Sequence, residues 1–400
     1  MTDQITVPLL DLKPQYQALK TEIDAAMQAV VDSQYFILGP TVSNFEADCA
    51  AYCEVPHAIG CASGSDALLL ALMALIPDLP GAGGQVICPS YTFFATGGAI
   101  ARLGLTPVFA DIDPVTYNMC PEHTAQLAEQ CDSLRAIMPV HLYGQAADMD
   151  AFIELGERYG VPLIEDAAQA MGSKDNHGAM VGTRGTIGTW SFFPTKNLGG
   201  FGDGGMCTTH DSELAGCMQI DRVHGMEPKY YHQQVGVNSR LDALQAAVLA
   251  VKLRHLETWH QRRQDNAAFY NAAFKAAGAQ ATDVPIADGG FPLRTPFANP
   301  APARHIYNQY IIRVPAEMRD ELRAHLTEHR IGTEIYYPVP LHMQECFADL
   351  GYAPEDLPES LLASKETIAL PIYPDLTEQQ LQHVSDTIVE WIGANSTVST

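Results

Sequence analysis

The chain has 400 residues, too many for one ordinary core, and its 47% apolar content is that of a globular protein, so two domains are expected. Its 47 acidic and 23 basic side chains leave a net charge of −24, a field that repels nucleic acid and anionic membranes and argues against both as partners. Nine cysteines between Cys49 and Cys346 lack framework or metal-ligand spacing, the N-terminal residues lack signal character, and the longest apolar run, Ala67 to Ile76, is too short to span a bilayer. The expectation is a metal-free cytoplasmic protein with reduced thiols.

Tyr16 to Val31 sets Leu19, Ile23, Met27 and Val30 at helical spacing, and Val42–Tyr52 reads as a second helix, so residues 1–55 form an N-terminal helical segment. Strand and helix then alternate. His57–Cys61 leads through Ser63-Gly64-Ser65 into a helix over 66–76, and Gln85–Cys88 leads into one over Phe93–Leu103. Pro107–Ala110, Ala136–Leu142 and Val161–Glu165 follow as strands, with helical stretches such as Asp150–Tyr159 between them. Short apolar strands alternating with amphipathic helices predict an α/β fold, a three-layer αβα domain around a mostly parallel sheet.

Ile187–Phe193 and Gly205–Thr209 add strands, and Arg240 to Trp259 reads as one long helix. Residues 279–303, dense in Pro, Gly and Ala, read as a loop or lid. Strand Gln309–Val314, helix 316–329, strand Ile331–Tyr336 and a last helix near 377–393 fit a smaller α+β domain. The expected division is 1–255 for the large domain and 256–400 for the small one.

Lys196 stands in Ser191-Phe192-Phe193-Pro194-Thr195-Lys196-Asn197-Leu198-Gly199-Gly200, between a strand-like run and a glycine-rich turn. An amine fixed there can form a Schiff base with a carbonyl. Asp166 ends the run Val161-Pro162-Leu163-Ile164-Glu165-Asp166, where a carboxylate either faces the ligand crevice of an α/β sheet and keeps a pyridine nitrogen protonated, or caps a helix. Ser63-Gly64-Ser65-Asp66 either offers unpaired N–H groups to a phosphate or is a helix start capped by Ser65 or Asp66. Ser191 can add a hydroxyl to the same phosphate. Pro89-Ser90-Tyr91-Thr92-Phe93-Phe94 puts aromatics at a strand end, for a planar ligand or for core packing. All of these fall at strand carboxyl ends, a combination that suggests pyridoxal phosphate.

These segments, with Pro139-Val140-His141-Leu142-Tyr143-Gly144-Gln145, Glu165-Asp166-Ala167-Ala168-Gln169, Gly202-Asp203-Gly204-Gly205 and Gly236-Val237-Asn238-Ser239-Arg240-Leu241-Asp242, resemble the DegT/StrS family of pyridoxal-phosphate-dependent nucleotide-sugar aminotransferases. The resemblance covers nearly the whole large domain and implies the fold-type I, aspartate aminotransferase-like architecture. It implies that Lys196 holds the cofactor imine and later moves the proton, that Asp166 pairs with the pyridine nitrogen, and that Gln169 lies near the phenolic oxygen. Phe93 would stack on the ring, and Gly64, Ser65 and Ser191 would bind the phosphate. Asn238 would reach the neighbouring subunit's cofactor phosphate, implying a homodimer with shared active sites. Arg240 would meet the substrate's anionic groups. The family usually has Thr where this chain has Ser65, which keeps the hydroxyl. A branch with His at the lysine position deoxygenates sugars instead, and Lys196 argues against that chemistry.

The implied substrates are a nucleotide-linked ketosugar and an amino-acid donor, usually glutamate. His141-Leu142-Tyr143-Gly144-Gln145 and Tyr336-Tyr337-Pro338-Val339-Pro340-Leu341-His342 look more like members acting at C-3, on a 3-keto-6-deoxyhexose or a 3-keto-uronate. Tyr337, His342, His305 and Tyr307 are candidates to reach the sugar, with interdomain packing as the other reading. Arg240 or His305 could meet a uronate carboxylate. A 4-keto sugar, a cofactor-binding regulator and a sugar dehydratase are the alternatives; no helix-turn-helix or basic segment supports the regulator.

Overall fold

Leu19, Ile23 and Val30 are buried along one face of α1 (Lys13–Ser33), which packs with Val42, Phe45 and Cys49 of α2 (Gly39–Cys53). This computed structural model describes residues 5–76, 78–79, 81, 83–284 and 290–395. Beyond α2 the large domain alternates strand and helix: β1 (His57–Cys61), α3 (Gly64–Leu75), β2 (Gln85–Pro89), α4 (Ala95–Arg102), β3 (Thr106–Ala110), α5 (Pro121–Gln130) and β4 (Leu134–Ile137). Then come α6 (Met149–Tyr159), β5 (Ile164–Asp166), β6 (Ile187–Ser191), β7 (Gly205–Thr209), α7 (Ser212–Asp221) and α8 (Ala243–Leu253).

β3, β2 and β4 pair in parallel, as do β5 and β6, and the bridges Ile137↔Leu163 and Val140↔Asp166 join the two groups. β7 runs antiparallel to both β6 and β1. The resulting order is β3-β2-β4-β5-β6-β7-β1, with β7 alone reversed. Alternate strand residues serve opposite layers, as the period of two requires. Val86 and Cys88 pack with α3, α4 and α7, whereas Ile87 packs with α5 and α6. Trp190, Phe192 and Met206 join α1, α2 and α8 on the second face. The expected αβα sandwich is therefore present.

The small domain gathers α9 (Leu256–Ala276), β8 (Gln280–Ala281), β9 (Arg294–Thr295), β10 (Tyr310–Arg313), α10 (Ala316–Glu328), α11 (Pro358–Glu366), β11 (Thr367–Leu370) and α12 (Glu378–Asn395). Its sheet, β11-β10-β9-β8, packs Ile312, Ile368 and Leu370 against Tyr270, Phe274, Leu326 and Val384. Both chain halves cross the expected division. Val7 lies in this core, exchanging backbone bonds with Arg330 and Gly332, while Leu341, Phe347 and Leu357 pack into the large-domain core.

Several elements depart from the sequence reading. The helix expected over Arg240–Trp259 is two, because α8 buries Ala246, Val248 and Leu249 against α1 and α2 whereas α9 buries Ala267, Tyr270 and Phe274 in the small domain; the chain must turn at Arg254-His255 to serve both cores. The strand expected over Ala136–Leu142 ends at Ile137. Ile331–Tyr336 forms bridges to Val7 and Ala369 rather than a strand. The segment 279–303 contributes β8 and β9, and its residues 285–289 lie outside the described residues. Among the described residues no helix is long and apolar enough to cross a membrane.

Candidate active site

β5 and β6 run side by side, pairing Asp166 with Thr189, and both end at the same edge of the sheet. Beyond Ser191 the chain folds back tightly: the Lys196 N–H donates to Phe193 O (2.9 Å) and the Gly200 N–H to Phe192 O (2.8 Å). This turn delivers the half-buried Lys196 to the cleft beside Asp166, where desolvation pushes its pKa down to about 8 against the attraction of that carboxylate. A pKa of about 8 raises the neutral, nucleophilic fraction at pH 7.5 from roughly one in a thousand to roughly one in four. Asp166 is buried. Its carboxylate accepts from Thr96 Oγ1 (2.8 Å) and from the Ala168 N–H (3.2 Å), yet burial still raises its pKa, with those bonds and Lys196 opposing. A buried carboxylate in that state favours a positively charged partner.

Two further supports escaped the sequence reading. Lys252 of α8 is 3% exposed and donates from Nζ to Gly199 O (2.7 Å), anchoring the turn that carries Lys196. Its position was readable: Lys252 falls four residues after Val248 and three after Leu249, on the buried face. Glu165, next to Asp166, accepts from His141 Nε2 (2.8 Å) and from the N–H groups of Gly182 (2.7 Å), Arg184 (2.8 Å) and Gly185. Burial alone would raise the Glu165 pKa; the His141 bond and these amides outweigh it and hold the carboxylate ionised. His141 Nδ1 accepts from Ala147 N (3.0 Å), so Nε2 carries the proton that Glu165 receives as a hydrogen bond.

The phosphate loop needs a correction. The N-cap of α3 is Ser63, whose Oγ accepts from Asp66 N (3.1 Å), and neither Ser65 nor Asp66 caps the helix. This leaves the first amides of α3, those of Gly64 and Ser65, without an acceptor among the described residues. A Cβ on Gly64 would stand 2.6 Å from Ser191 Cβ, so the loop and the end of β6 touch only because residue 64 is glycine. Ser65 is exposed, and Ser191 is half-buried beside it. Next to the loop opens a recess of about 610 Å³ lined by Ser63, Asp66, Asp203, Asn238, Arg240 and Asp242. Asn238 is exposed on its wall, and Arg240 is its sole lining cation among the described residues.

α4 begins at Ala95, which leaves Phe93 and Phe94 ahead of the helix. Phe93 is 56% exposed, so it is not a core residue; its ring faces Tyr337 at 6.0 Å. Gln169 Nε2 donates to Tyr337 Oη (3.0 Å), and Gln169 Oε1 accepts from Tyr143 N (2.8 Å). Burial, with the charge of Asp166 adding to it, raises the Tyr337 pKa well above the ordinary phenol range, so the hydroxyl stays neutral. The structure thus gathers Lys196, Asp166, Gln169, Phe93 and Tyr337 at one end of the sheet.

The two histidines are different. His305 is buried, stacked on Tyr307 at 4.0 Å, and its Nδ1 accepts from Tyr307 N (3.0 Å). Burial pushes its pKa down to about 3, which with the stacked ring favours packing, the other reading given for His305, over contact with a uronate carboxylate. His342 is also buried, and both ring nitrogens are occupied: Nε2 donates to Pro354 O (3.2 Å) and Nδ1 accepts from the Ser90 hydroxyl (2.7 Å). It anchors the 341–354 segment to the β2 loop and has no free atom for a sugar.

These groups fit pyridoxal phosphate by burial, charge and position. A buried carboxylate suits its pyridinium nitrogen, a nucleophilic amine its aldehyde, and two unpaired helix amides beside a serine its phosphate. The model of the DegT/DnrJ/EryC1/StrS aminotransferase family matches residues 17–389. The chain is 48% identical to a pleiotropic regulatory protein of Geobacillus stearothermophilus, covering 97% of this chain and 99% of the other. It is 41% identical to the dTDP-3-amino-3,4,6-trideoxy-alpha-D-glucose transaminase of Streptomyces venezuelae, over 96% of both chains. Among solved structures, DesV of S. venezuelae in complex with a ketimine intermediate superposes with a TM-score of 0.88 at 39% identity, over 97% of this chain and 98% of that one. This chain belongs to the DegT/DnrJ/EryC1/StrS aminotransferase family and is a pyridoxal-phosphate-dependent transaminase.

Proposed function

We propose that the enzyme moves an amino group from an amino acid, L-glutamate by preference, to C-3 of a nucleotide-linked ketosugar, and that it works in the cytoplasm as a homodimer. The observation that carries the reading is the 41% identity, over nearly all of both chains, to a transaminase whose name puts its amine on C-3 of a dTDP-sugar. The nine free cysteines, five of them buried, suit a reducing compartment.

Bound in the cleft, pyridoxal phosphate supplies an electron-withdrawing ring for the charge left when a proton departs from the carbon bearing the nitrogen. Around it the residues divide the work. Lys196, with its lowered proton affinity, forms the covalent attachment and afterwards takes and returns the proton at Nζ. Asp166, held by Thr96, keeps positive charge on the pyridine nitrogen. Gly64, Ser65 and Ser191 bind the phosphate, Gln169 and Tyr337 orient the phenolic edge, and Phe93 covers the ring and excludes water. Arg240 receives the anionic part of the nucleotide sugar. Because His305 is neutral and buried, a sugar carboxylate would have to rely on Arg240, which favours an uncharged 6-deoxyhexose over a uronate.

Ile37 lines the recess that holds Asn238, and Phe36, Ile37, Phe193 and Phe201 are exposed in the single chain. Exposed aromatics flanking an active cleft suit burial by a second subunit, whose cofactor phosphate Asn238 would contact. Mixing inactive Lys196→Ala and Asn238→Ala subunits tests this. Regained activity supports the shared site, and none argues that Asn238 serves its own chain. The function itself is tested by adding L-glutamate to holoenzyme and following the visible absorption band, then offering 3-keto and 4-keto nucleotide sugars and weighing the products. Lys196→Ala should lose the wild-type band and all turnover. No spectral change with any amino donor would instead favour a regulator, the role in the name of the 48% identical relative.

A further inference from the structure

α9 carries one arginine into the interior. Arg263 is 4% exposed, and no carboxylate lies within ion-pair distance of it among the described residues. Nη1 donates to the carbonyls of Tyr307 (3.0 Å), Asn308 (3.5 Å) and Ile372 (2.6 Å). Nε and Nη2 donate to no group among the described residues, yet neither is sealed away as a buried orphan. They open on a cavity of about 100 Å³ that Arg263 lines with Thr195, Asn308, Gln309 and Tyr336, closed by aliphatic side chains of the N-terminal segment and β11.

Two of its lining residues adjoin the reactive centre in sequence: Thr195 precedes Lys196, and Tyr336 precedes Tyr337. Desolvation pushes the guanidinium pKa down to about 10, with only the distant attraction of Asp375 opposing, so the charge is undercompensated. The free edge, Nε with Nη2, is the side of a guanidinium that grips a carboxylate through two parallel bonds. The volume admits a carboxylate and a methylene or two, and excludes a sugar nucleotide.

We propose that this cavity is the carboxylate subsite of the amino donor, with Arg263 as its binding residue and the side chain of Gln309 beside it. The proposal rests on the reading of the donor as an amino acid. It separates the two substrates in space: the small anion enters from the small-domain side of Lys196, and the nucleotide sugar from the recess beside Arg240.

Wild-type holoenzyme, Arg263→Lys and Leu10→Phe are titrated with L-glutamate, followed by the visible band, and with glutarate, which carries the carboxylates and no amine. Lysine keeps the charge but loses the fork, and phenylalanine narrows the cavity from its rim without changing a polar group. In both variants the apparent Kd for glutamate and the Ki for glutarate should rise by roughly tenfold or more, with the KM for the ketosugar unchanged. A general packing defect would move both substrates together. Unchanged glutarate inhibition in both variants, or equal losses for donor and sugar, overturns the subsite. If no donor changes the wild-type spectrum but glutarate still raises the Tm in an Arg263-dependent way, the subsite stands and the donor reading falls.

Discussion

Replacing Lys252 by methionine separates two effects of one buried amine. Desolvation brings its pKa from 10.5 to about 8, which corresponds to roughly 3 kcal/mol against the charged form in the fold. The bond to Gly199 O opposes this, since a charged donor to a buried carbonyl contributes roughly 1.5–3 kcal/mol. The two nearly cancel, so Lys252→Met should change stability at pH 7 by no more than about 2 kcal/mol. The pH dependence is more telling. The folded pKa lies below the unfolded one, so the unfolded chain binds more protons between pH 8 and 10.5, and the lysine's contribution rises with pH across that window. Urea unfolding at several pH values, followed by tryptophan fluorescence, should show a wild-type gain of about 1–3 kcal/mol relative to the variant. Other titrating groups cancel in the difference. The loosened turn should also lower kcat, because the Phe201 N–H bond to Gln245 Oε1 (2.7 Å) would then have to hold it to α8 without the Gly199 anchor. A flat difference between the two proteins, with kcat unaltered, would refute both the desolvation and the anchoring.

Asp166→Asn keeps the Thr96 contact but cannot hold a proton on a pyridine nitrogen; kcat should fall by roughly a hundredfold or more with cofactor retained by absorbance. His342→Leu orphans the Ser90 hydroxyl and Pro354 O, so stability should drop by about 1–3 kcal/mol in urea, while the ketosugar KM stays at its wild-type value. A KM change without a stability loss would restore His342 to the substrate site.

Most strands of the large domain and the cleft were legible because buried parallel strands leave continuous apolar runs, and the polar residues ending those runs have few other places to be. Asp166, Ser191 and the Gly64 loop follow from that rule. Three kinds of information were not in the pattern. No proline or glycine marks the break at Arg254-His255, which arises from two cores competing for one apolar stretch. Ile331–Tyr336 has strand composition yet forms only isolated bridges. The histidines carry no sequence sign of burial: His305 and His342 look like substrate ligands by type, and only their packed rings and bonded nitrogens favour the packing reading. Arg263 reverses the error, since charged residues on helices read as solvated until their depth is known.

The acidic surface makes a last prediction possible. The cofactor phosphate, the nucleotide diphosphate and the carboxylate of the proposed donor are all anions, yet the chain carries −24, and the recess sets Arg240 among Asp66, Asp203 and Asp242. Long-range steering therefore opposes substrate approach, and affinity must come from short-range groups: unpaired amides at α3, the edge of Arg263, and Arg240 once in contact. Salt screens the first effect over about 8–10 Å while leaving close, dehydrated contacts largely intact. Raising the ionic strength from about 0.05 to 0.3 M should thus increase kcat/KM for the nucleotide sugar, by roughly two- to tenfold, where a cationic funnel would decrease it. An uncharged amino donor such as alanine, tested in parallel, should respond far less. A steep fall of kcat/KM with salt would mean that the field at the cleft mouth is positive, and that the second subunit supplies cations the single chain lacks.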